Sequence, residues 1–149
     1  MDKFLNILLV EDNLDSVEII KRVLKTTDIP NKLWVFQDGE DALKFLKEAV
    51  EKKDKSLFPF IDFILLDINL PKLNGLEVLK EIKSSSDLKL IPVIMLTVSS
   101  REEDVLESYS LGCSSFVQKP VRYEDFEDVL KEIILYWGRR NITPNERRL

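Results

Sequence analysis

Five times along the chain a short apolar run gives way to a segment whose apolar residues recur at helical spacing, and few folds accommodate that alternation. The strand candidates are LNILLV (5–10), KLWVF (32–36), IDFILL (61–66), PVIMLT (92–97) and SFVQ (115–118). Most lack the strict apolar–polar alternation of a half-exposed strand, as expected of strands covered on both faces. Between them, Leu14, Val17, Ile20 and Leu24 mark one helix face. Ala42, Leu43, Leu46, Ala49 and Val50 mark a second, and Leu76, Leu79 and Ile82 a third. Val105, Leu106 and Tyr109 mark a shorter fourth, and Phe126, Val129, Leu130, Ile133, Ile134 and Trp137 a sustained fifth. The pattern predicts an α/β fold, a doubly wound parallel sheet with helices on both faces. In such folds ligands sit beyond the carboxyl ends of the strands, where strand order reverses.

Composition narrows the chemistry. A chain of 149 residues suits one domain with a single sizeable core. A net charge of −5 argues against general attraction to nucleic acid. The lone Cys113 cannot form an internal disulfide, and no apolar run approaches a membrane span or a signal peptide, so a cytoplasmic protein is expected. Histidine is absent, which removes Ser-His-Asp and Cys-His catalysis, imidazole metal sites and any phosphohistidine role. EKKDKS (51–56) reads as a solvated loop. Residues 1–138 form the domain, and the polar tail GRRNITPNERRL, beyond about residue 138, is expected to fray, with no room for an output domain.

The polar residues then converge. In FILLDINLPKLNG (63–75) a greasy strand ends on Asp67, followed by Asn69 and the turn signals Pro71, Asn74 and Gly75. The first strand ends at Glu11 and Asp12, the fourth at Thr97 with Ser99 and Ser100 beyond, and the fifth runs into Lys119-Pro120. A parallel sheet gathers all of these on one edge. Two carboxylates about 4 Å apart repel by roughly 4 kcal/mol at an effective dielectric near 20, so three need counter-ions. Lys119 supplies one charge, and a divalent cation supplies two more. With only oxygen ligands on offer, Mg²⁺ is the expected metal. Solvated carboxylates capping helices, as Asp12 or Asn13 before the helix beginning near Leu14, explain any one of these residues but not all of them together.

Taken in order and spacing, LLVEDN, ILLDINLPKLNG, VIMLT and FVQKP resemble the receiver domain of two-component response regulators, over about residues 4 to 137. The resemblance implies a flavodoxin-like five-stranded sheet of order 2-1-3-4-5 flanked by five helices, a strand order for which receivers are themselves an example. It implies that Asp67 is the phosphoacceptor for a phosphohistidine on a partner histidine kinase. Glu11, Asp12 and Asp67, with the Asn69 backbone carbonyl, would hold Mg²⁺, and Lys119 would pair with the phosphate. The Lys119–Pro120 bond would be cis. Thr97 and Phe116 would form the switch pair, the ring turning into space that the Thr97 hydroxyl vacates. Phe116 lacks a tyrosine hydroxyl, and Val98 is bulkier than the residue many relatives carry there. Kinase docking would use Leu14, Asp15 and Pro120.

Further details, SSREEDVLESYSLGCSSFVQKP and YWGRRNITP, resemble stand-alone regulators partnered with bacterial phytochrome-type or hybrid kinases. In that group the end of the last helix supports homodimers, which here would use Ile134, Tyr136, Trp137, Arg139 and Arg140. Two rival classes keep the same residues: an Mg²⁺-dependent phosphohydrolase with Asp67 as nucleophile, and a phosphorylation-independent scaffold. The hydrolase usually needs a cap or insertions that this chain lacks. The scaffold would be favoured by a missing phosphoacceptor or lysine, and both are present.

Overall fold

Parallel pairing orders the apolar runs into one sheet. The computed structural model describes residues 4–52 and 61–144. Strands β1 (Leu5–Val10), β2 (Asn31–Phe36), β3 (Phe63–Leu66), β4 (Val93–Thr97) and β5 (Ser115–Gln118) alternate with helices α1 (Leu14–Thr26), α2 (Gly39–Lys52), α3 (Gly75–Ser84), α4 (Glu102–Leu111) and α5 (Tyr123–Leu135). Among the described residues the five strands pair in parallel, in the order β2-β1-β3-β4-β5. The flavodoxin-like architecture is therefore as expected.

The period-2 geometry of the strands divides the core into two layers. Leu5, Ile7 and Leu9 of β1, Phe63 and Leu65 of β3, and Ile94 and Leu96 of β4 pack with α1 and α5. Leu8, Val10, Ile64, Leu66, Val93 and Met95 point the other way, onto Leu43 and Leu46 of α2 and Val78, Leu79 and Ile82 of α3. β3 begins two residues later than IDFILL suggests. Asp62 donates its N–H to Asn6 O (2.7 Å) and accepts the Asn6 N–H on its carboxylate (2.8 Å), so its buried side chain takes up β1 backbone.

Two helices differ from their expected faces. Leu14 stands 62% exposed, and the buried face of α1 is Val17, Ile20, Val23 and Leu24. The cap explains the shift: Asn13 accepts the Ser16 N–H (3.0 Å), which starts the helix with Leu14 turned outward. In α4, Leu106 and Tyr109 are exposed and the buried residues are Asp104 and Ser108. Leu111, at its far end, packs against the α2–α3 core layer, while its first turn is held by polar groups.

The polar tail is also ordered further than expected. α5 runs into a single wide π turn, Tyr136–Arg140. Gly138 is buried there, where a Cβ would lie 2.7 Å from Leu5 Cδ1 and 3.3 Å from Ile29 Cδ1. The Trp137 ring sits 6.3 Å from Phe63. Arg139 Nη2 donates to Thr27 O (3.3 Å), and the buried Thr143 hydroxyl donates to Asp62 Oδ1 (3.1 Å). Up to Pro144 the tail is thus pinned under the amino edge of the sheet by groups that a polarity count reads as solvated. Glu51 and Lys52 of EKKDKS belong to α2, and residues 53–56, like 145–149, lie outside the described residues.

Gly138→Ala should lower unfolding free energy by about 1–3 kcal/mol in urea titration, because the methyl has no room against Leu5. Ile142→Ala, at a side chain 60% exposed, should change it by no more than ~0.5 kcal/mol.

Candidate functional site

Register places the acidic residues. Val10 and Leu66 are partners across β1 and β3, so Glu11 and Asp67 leave adjacent strands side by side. Each is fixed by one more backbone bond: Asp67 N–H to Val10 O (3.1 Å) and Glu11 N–H to Phe36 O (2.9 Å). On the other side, Thr97 pairs with Gln118, and Lys119 N–H donates to Thr97 O (2.7 Å), which aims the lysine back over the sheet edge. The turn after Asp67 closes on Gly75, whose N–H donates to Ile68 O (2.8 Å). A Cβ at Gly75 would stand 2.0 Å from Asp67 O, so only glycine lets α3 start so close to the acidic residue.

The side chains meet in a tight cluster. Lys119 Nζ is hydrogen-bonded to Glu11 Oε1 and lies 3.3 Å from Asp67 Oδ2, with all three side chains nearly buried. Asp12 is on the solvent side, since Asn13 rather than Asp12 caps α1. One carboxylate oxygen from each of Glu11, Asp12 and Asp67 lies within 4.8 Å of the others. The second Glu11 oxygen accepts Asn13 N–H (3.2 Å), and Asp67 Oδ1 accepts Asn69 N–H (3.3 Å).

Charge is unbalanced here. Burial strips water from Glu11 and pushes its pKa from 4.5 up to about 7; the Lys119 hydrogen bond and charge pull it down and the Asp67 charge pushes it up. One ammonium group cannot satisfy three carboxylates, and the donor set is hard oxygen throughout, so the cluster fits a divalent cation.

The remaining predicted residues fall at different distances from this cluster. Thr97 is fully buried at the end of β4, and its Oγ1 accepts Ser99 N–H (3.4 Å). Phe116 is half-buried and packs against the α2–α3 core layer, while Val98 is 65% exposed. Leu14 and Asp15 are exposed and Pro120 is half-buried, all just beyond the carboxyl edge of the sheet. The Lys119–Pro120 bond is trans, as is every peptide bond among the described residues, which corrects the expected cis bond. Trans is the isomer an X-Pro bond prefers by about 0.5–1 kcal/mol. Of the proposed dimer residues, Ile134 is in the core and Trp137 packs on Phe63, while Tyr136, Arg139 and Arg140 are exposed.

One constellation was not anticipated. Asp104 accepts hydrogen bonds from Ser99 Oγ (2.6 Å), Arg101 Nε (3.1 Å) and Arg101 Nη2 (3.3 Å). The run Ser100–Glu103 has the spacing of a capping box, but Arg101 takes the cap position and Asp104 reaches back instead.

A parallel sheet of this order carrying acidic residues after β1 and β3 and a lysine after β5 defines a class, and residues 7–131 match the response regulator receiver domain. The chain belongs to that family. Among individual proteins it is 40% identical over 131 residues to response regulator Rcp1 of Synechocystis sp., covering 88% of this chain and 87% of the relative. The Mn²⁺-bound crystal form of Rcp1 superposes with a TM-score of 0.85 at 38% identity, over 93% of this chain and 98% of that one. The phosphorylated cyanobacterial phytochrome response regulator RcpA gives a TM-score of 0.86 at 33% identity, over 95% and 99%.

A carboxyl group with a raised folded pKa holds a proton that the unfolded chain releases, so Glu11 makes the metal-free fold less stable as pH rises from 4.5 to about 7. Glu11→Gln should therefore stabilise the metal-free protein at pH 8 by about 1–3 kcal/mol, with the gain shrinking toward pH 4.5. Urea titrations across that range check the sign; a gain that grows on acidification contradicts it.

Proposed function

We propose that the protein is a response regulator that accepts a phosphoryl group on Asp67 from a phosphohistidine of a partner histidine kinase. The observation that carries this is the Lys119 amino group lodged between Glu11 and Asp67, with Asp12 at the open side, in a member of the receiver family. An Asp67 carboxylate oxygen attacks phosphorus, the P–N bond to imidazole breaks, and the imidazole leaves to take up a proton. Glu11, Asp12, Asp67 and the Asn69 carbonyl would hold Mg²⁺, which neutralises charge on the transferring group when bound. Lys119 exchanges its Asp67 contact for a phosphoryl oxygen.

The added phosphate brings roughly −1.5 to −2 charge and strong acceptors, and Thr97 turns its hydroxyl toward it. Phe116 then follows into the vacated space, and the altered surface is read by a downstream protein. Leu14, Asp15 and Pro120, at or near the surface beside the acidic cluster, are where the kinase docks. The likeness to RcpA, a phytochrome response regulator, supports a phytochrome-type kinase as that partner. A homodimer would form through Tyr136, Arg139 and Arg140 in the π turn that follows α5. No described helix is long and apolar enough to cross a membrane, and the reading places the protein in the cytoplasm beside its kinase.

Incubation with acetyl phosphate and Mg²⁺, followed by intact mass measurement, should show one added phosphoryl group per chain and none in Asp67→Ala. Repeated turnover of a small phosphate ester would instead identify a hydrolase. No label from acetyl phosphate or from a kinase would leave a scaffold.

A further inference from the structure

The segment between β4 and α4 connects the buried Thr97 to a polar network on which the acidic cluster does not draw. Ser99 has three roles there. Its N–H donates to Thr97 Oγ1 (3.4 Å), its hydroxyl donates to Asp104 Oδ2 (2.6 Å), and the same hydroxyl accepts Arg101 N–H (3.4 Å). Arg101 grips Asp104 from the solvent side with two guanidinium nitrogens, Nε at 3.1 Å and Nη2 at 3.3 Å. These bonds hold the Asp104 carboxyl below its usual range, so it is ionised and each bond is charge-assisted.

Apolar packing of this helix lies at its far end, where Leu111 sits against the α2–α3 core layer. The buried residues of α4 are Asp104 and Ser108, and the Ser108 hydroxyl has no hydrogen-bond partner among the described residues. A first turn with few buried apolar contacts is the kind of element that moves at small free-energy difference. Its first turn depends on the Asp104 clamp, because Arg101 at the cap position makes no capping bond with its side chain.

We propose that Asp104 is a positioning residue for the Asp67 site: by holding Ser99 it fixes the amide that occupies the Thr97 hydroxyl, and so opposes the turning of Thr97 toward a phosphoryl group. This rests on the reading of Asp67 as phosphoacceptor. The resting bonds from Thr97 through Ser99 to Asp104 form one chain, so Thr97 leaves only when the Ser99 amide gives it up. The clamp therefore weights the equilibrium toward the unphosphorylated arrangement, while the metal-binding carboxylates lie outside the chain of bonds.

The test uses the whole protein, Mg²⁺ and beryllofluoride as a phosphoryl analogue. Ser99→Ala and Asp104→Ala should each bind beryllofluoride about 2- to 10-fold more tightly, the worth of one net hydrogen bond, with Mg²⁺ affinity unchanged. The double variant should gain no more than the larger single effect, since both remove the same bond. Asp104→Asn, which keeps an acceptor for Ser99, should fall between wild type and Asp104→Ala. A capping role alone lowers thermal stability without changing the ratio of beryllofluoride to Mg²⁺ affinity. That result in folded Ser99→Ala overturns the proposal, as do additive gains in the double variant. Wild-type protein that binds Mg²⁺ but no beryllofluoride overturns the phosphoacceptor reading itself, and the clamp with it.

Discussion

The Lys119 ammonium between Glu11 and Asp67 is the interaction on which the arrangement of this protein turns. Two carboxylates leave neighbouring strands side by side because parallel register allows nothing else. At an effective dielectric near 20 their mutual repulsion is several kcal/mol, and burial adds a desolvation penalty. The lysine offsets part of this from the far side of β4, where its backbone is bonded to Thr97. The raised Glu11 pKa, about 7, records what the lysine leaves uncompensated. The fold thus holds a concentration of negative charge that a divalent cation relieves, at the strand-order reversal where doubly wound sheets bind ligands.

Around that edge the two ends of the sheet are built differently. The amino edge is closed: Gly138 lies against Leu5, Trp137 against Phe63, and Thr143 on the buried Asp62. The carboxyl edge carries α4 on a polar clamp, with Val98, Leu106 and Tyr109 exposed. A closed amino edge and a first turn of α4 held by polar groups suit the proposed response, a change of surface near the acidic cluster.

Much of this was legible in the residues. Strand β1 coincides with LNILLV and is almost wholly buried, as an apolar run in a covered sheet should be, while β5 coincides with SFVQ as a half-exposed edge strand. The meeting of Glu11, Asp12, Asp67 and Lys119 followed from their common position at strand ends. What escaped were features set by tertiary contact. The α4 stripe of Leu106 and Tyr109 faces solvent while Asp104 is buried beneath Ser99 and Arg101, and periodicity does not report which face has partners. The tail appeared solvated because composition counts Thr143 and Arg139 as polar without knowing that Asp62 and the Thr27 carbonyl await them. The trans Lys119–Pro120 bond was inaccessible to residue patterns altogether.

Thermal unfolding against Mg²⁺ concentration at pH 7.5 decides whether the cluster of Glu11, Asp12 and Asp67 beside Lys119 binds a divalent cation. A ligand that binds only the folded state at 100 times its dissociation constant stabilises by about 2.7 kcal/mol, so the midpoint should climb with the logarithm of Mg²⁺. The rise should vanish in the Asp12→Ala, Asp67→Ala double variant. A midpoint independent of Mg²⁺ in the wild-type chain, or an equal rise in that double variant, would exclude a cation site at this cluster.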